Sequence, residues 1–394
     1  MQTRLGQAQW TLVRRWFSNS GPFGFDPYDV RAHPLCVRLL RTKARAFHKG
    51  FTLLTNRFPV GARRILGVGP TVAAETLGLL ARGYFAASNA TGEEELLRLG
   101  LQELDSLKSL NVVDSGNGIA WGLPFDWQSR IFFPQGTMMS TTTVGCALAF
   151  LEGYRHTCED EYLSIAENSA RTLLGNLRLQ RACDGSTLCF SYTPIDRFHV
   201  HNANLLVAQL LVEVDAARGS REFREVAQSS LDYSLSDQRE DGAFEYWGPP
   251  DRAAKHVDHY HTGFILRALM SMQRFLQQPA IERGLQRGVE YYTQRFFDSS
   301  LRPLDYPDGR SLTNIRSCAE ALLVHAELGK YIADAQYKIE RILQWIDGNM
   351  LCSNGVFRYS WNPISKRQDK GSMPYTRWAQ APMFYALARV MDAC

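Results

Sequence analysis

The sequence predicts an all-α fold, an (α/α)6 toroid in which six helical hairpins close into a ring, with short β-like turns in the loops of one face. Three observations carry that prediction: a unit recurring at nearly constant spacing, helical periodicity after every copy, and helices at both chain ends that complete the count. Four segments open on a turn dipeptide or its relic, Asp184-Gly185, Asp241-Gly242, Asp298-Ser299 and Asn354-Gly355, at intervals of 57, 57 and 56 residues. A fifth, Asn117-Gly118 leading to Trp121, stands 67 residues before Asp184, so its unit carries an insertion. Asn-Gly and Asp-Gly supply the positive φ of a tight turn.

Each copy runs through a long polar and aromatic loop into a helix. These helices begin near Thr141, Asn202, His261, Asn314 and Tyr375, with apolar residues at helical spacing, as in Leu205, Leu206, Ala208, Leu210 and Val212. Partner helices follow near Glu159, Ser220, Pro279 and Tyr331; Pro279 suits a first turn, where its missing N–H costs nothing. Upstream, 72–87 and 93–109 form another pair. Six helices of the post-loop kind then have only five partners after them. The sixth partner is expected in a helical stretch over 35–51, packed beside the last helix over 375–391. The expected organisation is an arm over 1–34 and a single toroid domain over 35–394. An open solenoid would need polar capping helices, and 379–390 is as apolar as any interior segment.

Composition agrees. At 394 residues the chain is long for one domain, but a closed repeat buries a continuous core and grows past the usual limit. With 45% hydrophobic and 21% charged residues, it contains no run of about 18 apolar residues that a membrane span requires. The net charge of +4 comes mostly from arginine interleaved with Asp and Glu, without the stripe that marks a nucleic-acid binder. Eight cysteines with no CxxC pair and no zinc-like spacing read as reduced core residues, and residues 1–21 lack the continuous apolar segment of a secretory signal. A cytoplasmic location is expected. Arg4, Arg14 and Arg15 without any acid also allow the N-terminal stretch to lie on the inner membrane as a short amphipathic helix.

In such a ring the pre-helix loops emerge on one face, above the N-termini of the inner helices, whose free N–H groups favour anions. The substrate-binding candidates there are Trp127, Arg130, Asp196, His199, Trp247, His259, Tyr306, Arg316, Trp361 and Arg377. Flat aromatics beside carboxylates and Arg suit a saccharide, stacking on its C–H faces and directing hydrogen bonds to its hydroxyls. Trp121, Tyr246 and Tyr359 recur at equivalent places and read as packing residues of the repeat.

The catalytic candidates are His201, Asn202, Asp258, Tyr260 and His261. The run His256-Val257-Asp258-His259-Tyr260-His261 gathers groups able to act as acid or base near neutral pH. Capping by His261 and metal binding are the alternatives, and without a second set of ligands at metal spacing no metal or other cofactor is expected. His199-Val200-His201-Asn202 occupies the corresponding place one unit earlier, which makes His201 and His261 counterparts. Asn and Arg could neutralise a uronate carboxylate while Tyr or His moves the C5 proton, which suits β-elimination or epimerisation. Hydrolysis needs two carboxylates instead, with Asp126, Asp196, Glu245, Asp258 and Asp305 as candidates. A glycan-binding or scaffolding protein without catalysis is the rival from another class.

These residues resemble (α/α)-toroid carbohydrate-active enzymes, namely polysaccharide lyases, unsaturated-glucuronyl hydrolases and the helical domain of glucuronyl C5-epimerases, and the Asn, His, Tyr and Arg set looks like the lyase type. The likeness is architectural from about Leu35 onward. Phe25-Asp26-Pro27-Tyr28-Asp29, the run from Asp184-Gly185-Ser186 to His201-Asn202-Ala203-Asn204, and His261-Thr262-Gly263-Phe264 are similar to a bacterial family associated with surface-polysaccharide gene clusters. That resemblance implies work on an oligo- or polysaccharide, lipid-linked or free, and leaves the reaction open. Terpene-cyclase and lanthipeptide-cyclase toroids are excluded by the absence of an acidic DxDD-type donor, an Asp-rich metal motif, or a Cys/Cys/His zinc set.

Overall fold

A computed structural model describes residues 4–40, 51, 55, 58–113, 118–181, 185, 187–251, 256–308, 313–362 and 373–393. Its helices are α1 (Arg4–Ser20), α2 (Asp29–Ala32), α3 (Pro34–Leu40), α4 (Pro59–Leu66), α5 (Ala74–Thr91), α6 (Glu94–Lys108), α7 (Ser140–Thr157) and α8 (Asp160–Asn176). They continue as α9 (His201–Arg218), α10 (Arg224–Ser236), α11 (His259–Leu276), α12 (Pro279–Arg295), α13 (Ile315–Glu327), α14 (Ala335–Asn349) and α15 (Ala381–Ala393). Six of these, α5, α7, α9, α11, α13 and α15, pack each against the next, and α15 packs against α5, so the inner ring is closed. Outside them stand α6, α8, α10, α12, α14 and α1.

The two layers differ in sequence as their burial requires. Helix α6 buries Leu96, Gly100, Leu104 and Leu107, a single stripe, whereas α9 buries residues on every side. Short antiparallel pairs sit only in the loops, such as Trp127–Gln128 with Phe132–Phe133. The recurring turns take positive φ at Gly118, Gly185, Gly242 and Gly355; in the Asp298-Ser299 copy Leu301 takes it instead. Asn117 and Asp184 lie outside the described residues. Four of the five turns lead to a fully buried aromatic, Trp121, Phe190, Phe244 or Phe357, and the Asp298-Ser299 copy leads to the buried Leu304, so the packing role read for Trp121 is what the structure has.

The expected closure is corrected. The place outside α15 is filled by α1, whose Trp10 and Phe17 meet Phe384 at ring distances of 5.5 and 5.7 Å, and whose Gln9 donates to the Leu343 carbonyl at 3.1 Å. The ring therefore takes in residues assigned above to an arm. Of the predicted 35–51 helix, the Pro34–Leu40 part packs against α2, and 41–50 lie outside the described residues. The same packing consumes the apolar face of α1, Trp10, Val13 and Phe17, which a membrane-surface helix would have needed. No described helix is long and apolar enough to cross a membrane. The cysteines Cys36, Cys146, Cys189 and Cys318 are buried free thiols.

Between α1 and α5 the chain crosses the seam of the ring. Gly24 pairs with Thr71, and Phe25 with Tyr375, tying the first unit to the last. A Cβ on Gly24 would lie 2.3 Å from the Thr376 side chain, so only glycine permits this approach. Before α15 the chain makes a π turn over Thr376–Gln380; Pro382 just inside the helix has no N–H to give the Trp378 carbonyl, and the wider turn accommodates the loss.

Closure rests on contact between α5 and α15, and Gly83 reports on it: a Cβ there would stand 2.6 Å from the Phe384 ring. Gly83→Ala should destabilise the protein by about 1–3 kcal/mol through overpacking. Gly175→Ala, with nothing within 4 Å of the added carbon, should stabilise it by up to about 1 kcal/mol. Urea unfolding of both variants checks the opposite signs.

Candidate active site

A cavity of about 870 Å³ follows the ring axis from the N-termini of the inner helices toward their last turns. Helical geometry decides which side chains reach it. Successive residues are about 100° apart around a helix, so the first and second residues cannot face the same way. The first residues, Ala74, Ser140, His201, His259 and Ile315, are buried, as is Thr376 at the start of the π turn. The second residues, Glu75, Thr141, Asn202, Tyr260, Arg316 and Arg377, all line the mouth.

This register corrects the equivalence of His201 and His261. His201 corresponds to His259, and both are turned toward the outer layer. His201 lies 3.1 Å from the Ser234 hydroxyl and 2.8 Å from Asp237. His259 meets the Leu304 carbonyl at 2.9 Å and the Tyr292 hydroxyl at 2.5 Å, and burial pushes it down to about 3, so it stays neutral. Neither lines the cavity.

His261, one position further round, does line it. Asp258 caps α11, accepting the His261 backbone N–H at 3.0 Å, and its other oxygen lies 2.7 Å from His261 Nδ1 and 2.8 Å from His256 Nε2. Burial alone would raise the Asp258 pKa, but the two imidazoles and the capped N–H outweigh it and hold the carboxyl well below its usual range. An ionised carboxylate only accepts, so Nδ1 of His261 carries the proton and a neutral ring keeps its lone pair on Nε2. That nitrogen has no hydrogen-bond partner among the described residues. The imidazole of His256 is held above its usual pKa by the bond to Asp258. His256, Asp258 and His261 are also the described residues whose donor atoms could converge on a cation; in this arrangement they stand at hydrogen-bond separations.

The rest of the mouth is cationic and aromatic. Arg316 reaches Glu75 at 2.5 Å and Arg377 reaches it at 3.2 Å, while Arg377 also donates to Asp26 at 2.6 Å. Burial of Glu75 opposes ionisation, but the two guanidinium groups win and its pKa falls. Asn202 is 2% exposed and its Oδ1 has no partner among the described residues, a buried acceptor at the cavity wall. Burial raises Tyr260 well above its ordinary pKa, so it is a neutral donor. Trp127, stacked on Phe133 at 5.4 Å, and Trp247, covered by the Arg130 guanidinium at 3.6 Å, complete the wall with Tyr28, Tyr192, Tyr246 and Trp378.

Other expected residues lie elsewhere. Asp196 folds its own loop, accepting from Thr193, Tyr192 and Phe198 backbone N–H groups. His199 pairs with Asp251 at 2.9 Å, and Trp361 packs on Trp345. Arg130 and Tyr306 are exposed outside the cavity lining. Tyr246, read as packing, is a wall residue. Sequence reasoning missed Glu75, Asp26, Tyr28 and Thr141; aligning the units on their helix starts exposes Glu75 and Thr141 as counterparts of Asn202.

Deeper in the cavity the glutamates are locked by arginine: Glu152 with Arg82, Glu213 with Arg155, and Glu320 and Glu327 with Arg267. With Glu75, these are the carboxylates among the described lining residues. None is an unpaired pair flanking open space, as hydrolysis would want. Of the hydrolytic candidates, Asp305 sits behind the wall, its Oδ1 accepting from the Asn314 N–H and the Ser317 hydroxyl.

No family model and no curated protein matches the sequence. Solved structures do match in fold. A sugar epimerase from a ruminal bacterium has a TM-score of 0.65 at 11% identity, over 81% of this chain and 87% of that one. Cellobiose 2-epimerase from Bacillus thermoamylovorans gives 0.58 at 12%, over 80% and 87%. An unsaturated glucuronyl hydrolase specific for heparin gives 0.56 at 11%, over 81% and 85%. These likenesses show the fold that this chain shares with them, the (α/α)6 toroid.

Burial pushes Asp305 up to about 7, against an unfolded value near ~3.9. Its favourable contribution is complete below the unfolded value and is lost as pH rises through 7. Asp305→Asn keeps the Oδ1 acceptor and removes the titration. Urea unfolding at pH 5.5 and 8.5 should show the variant less pH-dependent than the parent and more stable at the higher pH.

Proposed function

We propose that the protein is a carbohydrate-active enzyme that moves a proton at a carbon beside a carboxylate or carbonyl of a sugar, acting on a uronate-containing or otherwise anionic glycan. The observation that supports this most is the Asp258–His261 pair: a base oriented by an ionised carboxylate, its Nε2 open, in a mouth shared with Tyr260, Asn202, Arg316 and Arg377. Arg316, Arg377 and Asn202 would hold the uronate carboxylate and stabilise charge as it forms, His261 would take the C5 proton, and Tyr260 would supply one. Return of a proton to the opposite face gives epimerisation. Departure of the 4-linked oxygen with that proton gives β-elimination. The arginine-bound state of the lining glutamates favours either over hydrolysis, and work on surface polysaccharide, lipid-linked or free, is the setting that the sequence resemblance suggests.

A second reading rests on the epimerases among the fold relatives: the same base could act at C2 of an aldose at a reducing end. Incubation in deuterated water with uronate polymers and with simple aldoses and disaccharides separates the two, because the label enters C5 or C2, while absorbance of unsaturated products reveals a lyase. Deuterium uptake at neither carbon, on any of these, would count against proton transfer.

His261→Ala should lower turnover and deuterium uptake by about 10²–10⁴-fold, the usual contribution of a positioned base. His201→Ala should instead reduce stability and leave uptake in the folded fraction within a few fold. Equal losses in the two variants, measured by label incorporation, would remove His261 from the proposed role.

A further inference from the structure

The interleaving of charge breaks most strongly in the segment that follows Val30. Between Val30 and Ala74 there are nine Lys and Arg and no Asp or Glu, leaving 35 basic against 40 acidic residues elsewhere. Within that stretch α3 and α4 both pack against α2, and both turn apolar side chains to solvent: Leu35 is 60% exposed, Val60 52% and Ile65 85%. Arg38 and Arg64 are exposed on the same two helices.

Helix α4 is inverted relative to an ordinary surface helix. Its ionic group faces the protein: Arg63 is 4% exposed, pairs with Asp29 at 2.6 Å and donates to the Asp26 carbonyl at 2.7 Å. Its outward face is Val60, Gly61, Arg64 and Ile65, positions that share one side of a helix. An apolar helix face with arginine at its edge, inside a stretch without a single acid, matches the interior and headgroups of a lipid surface together.

We propose that the α3–α4 surface docks on an anionic lipid bilayer, with Val60 and Ile65 entering the interfacial layer and Arg38 and Arg64 meeting lipid phosphates. Excess positive charge selects anionic over neutral lipid. Exposed aliphatic side chains select a bilayer over nucleic acid, which offers phosphates but no hydrocarbon. A second copy of the chain would bring one basic surface against another. Helix α4 is tied to the mouth from its inner side, because the Asp26 carbonyl accepts from Arg63 and the Asp26 carboxylate accepts from Arg377 of the cavity wall. The proposal does not depend on the sugar chemistry above.

The test is sedimentation of the whole protein with vesicles of phosphatidylcholine alone and of phosphatidylcholine containing phosphatidylglycerol. Binding is expected only to the second, weakening as salt rises. The double variant Val60→Asp/Ile65→Asp, and separately Arg64→Glu, should lower the bound fraction by roughly tenfold, with circular dichroism and thermal unfolding unchanged; Tyr337→Asp, at an exposed position on α14, should not. Failure to bind phosphatidylglycerol vesicles at low salt overturns the proposal, as does binding that survives the double variant. Dimerisation abolished by Ile65→Asp without vesicle binding would assign the face to a second copy. Binding to a homopolymeric RNA that persists in the double variant would assign the charge to nucleic acid. Either result overturns a bilayer as occupant.

Discussion

The first backbone N–H of an inner helix donates to a carbonyl in the loop that precedes the next inner helix, and the site is assembled by that bond. Ser140 gives to Tyr192 at 3.0 Å, His201 to Tyr246 at 3.2 Å, His259 to Asp305 at 3.0 Å and Ile315 to Tyr359 at 3.0 Å. Each bond satisfies a donor that a helix start leaves open and is worth only about 0.5–1.5 kcal/mol. Its larger effect is on register. With the first residue committed to the neighbouring loop and the outer layer, the second residue of every inner helix is turned to the axis. The carbonyl partners bring their own side chains along, which is why Tyr192 and Tyr246 stand in the cavity wall.

A ring of such bonds has one seam, where the first unit has no preceding loop of the repeat and the last has no following one. The crossing segment from Gly24 to Asp29 fills that gap. It pairs with Thr71 on one side and Tyr375 on the other, and Asp26 and Glu75 share Arg377 between them. Buried ion pairs return little net stability, but removing one partner strands the other in a poorly solvated place. The seam is thus specified by charge where the other junctions are specified by backbone. The consequence for function is that the arm belongs to the mouth: Tyr28 stands 5.5 Å from the Trp378 ring and 6.2 Å from Trp127.

What could be read from the sequence was whatever is local. The turn glycines, the period, and the starts of α7, α9, α12 and α13 come from dihedral demands and 3.6-residue periodicity, which a chain displays without knowing its partners. The closing helix was misplaced because α1 shows only Trp10, Val13 and Phe17 on its buried face among polar and basic neighbours, and their meaning depends on Phe384, more than 360 residues away. The histidines were misaligned for a different reason. Matching His201 to His261 by residue type instead of by helix start shifts the register by two residues, about 200° around the helix, which exchanges the inside for the outside. Glu75 stayed hidden because its unit lacks the aromatic loop that drew attention to the others.

The same geometry explains why His261 faces the cavity and His259 does not. Asp258 is both the cap of α11 and the orienter of His261, so imidazole, carboxylate and helix start form one turn. His259, in the middle of the same run, is turned away to Tyr292 and kept neutral by burial. Around this turn the lining glutamates are bound by arginine, yet among the described lining residues seven arginines stand against five glutamates, and helix N-termini without side-chain caps open onto the cavity at Met139 and Val200. The field inside the mouth therefore favours an anion close to the His261 imidazole. In the reaction proposed above, a substrate carboxylate neutralised by that field would make the adjacent carbon more acidic, so that a base as weak as imidazole would suffice.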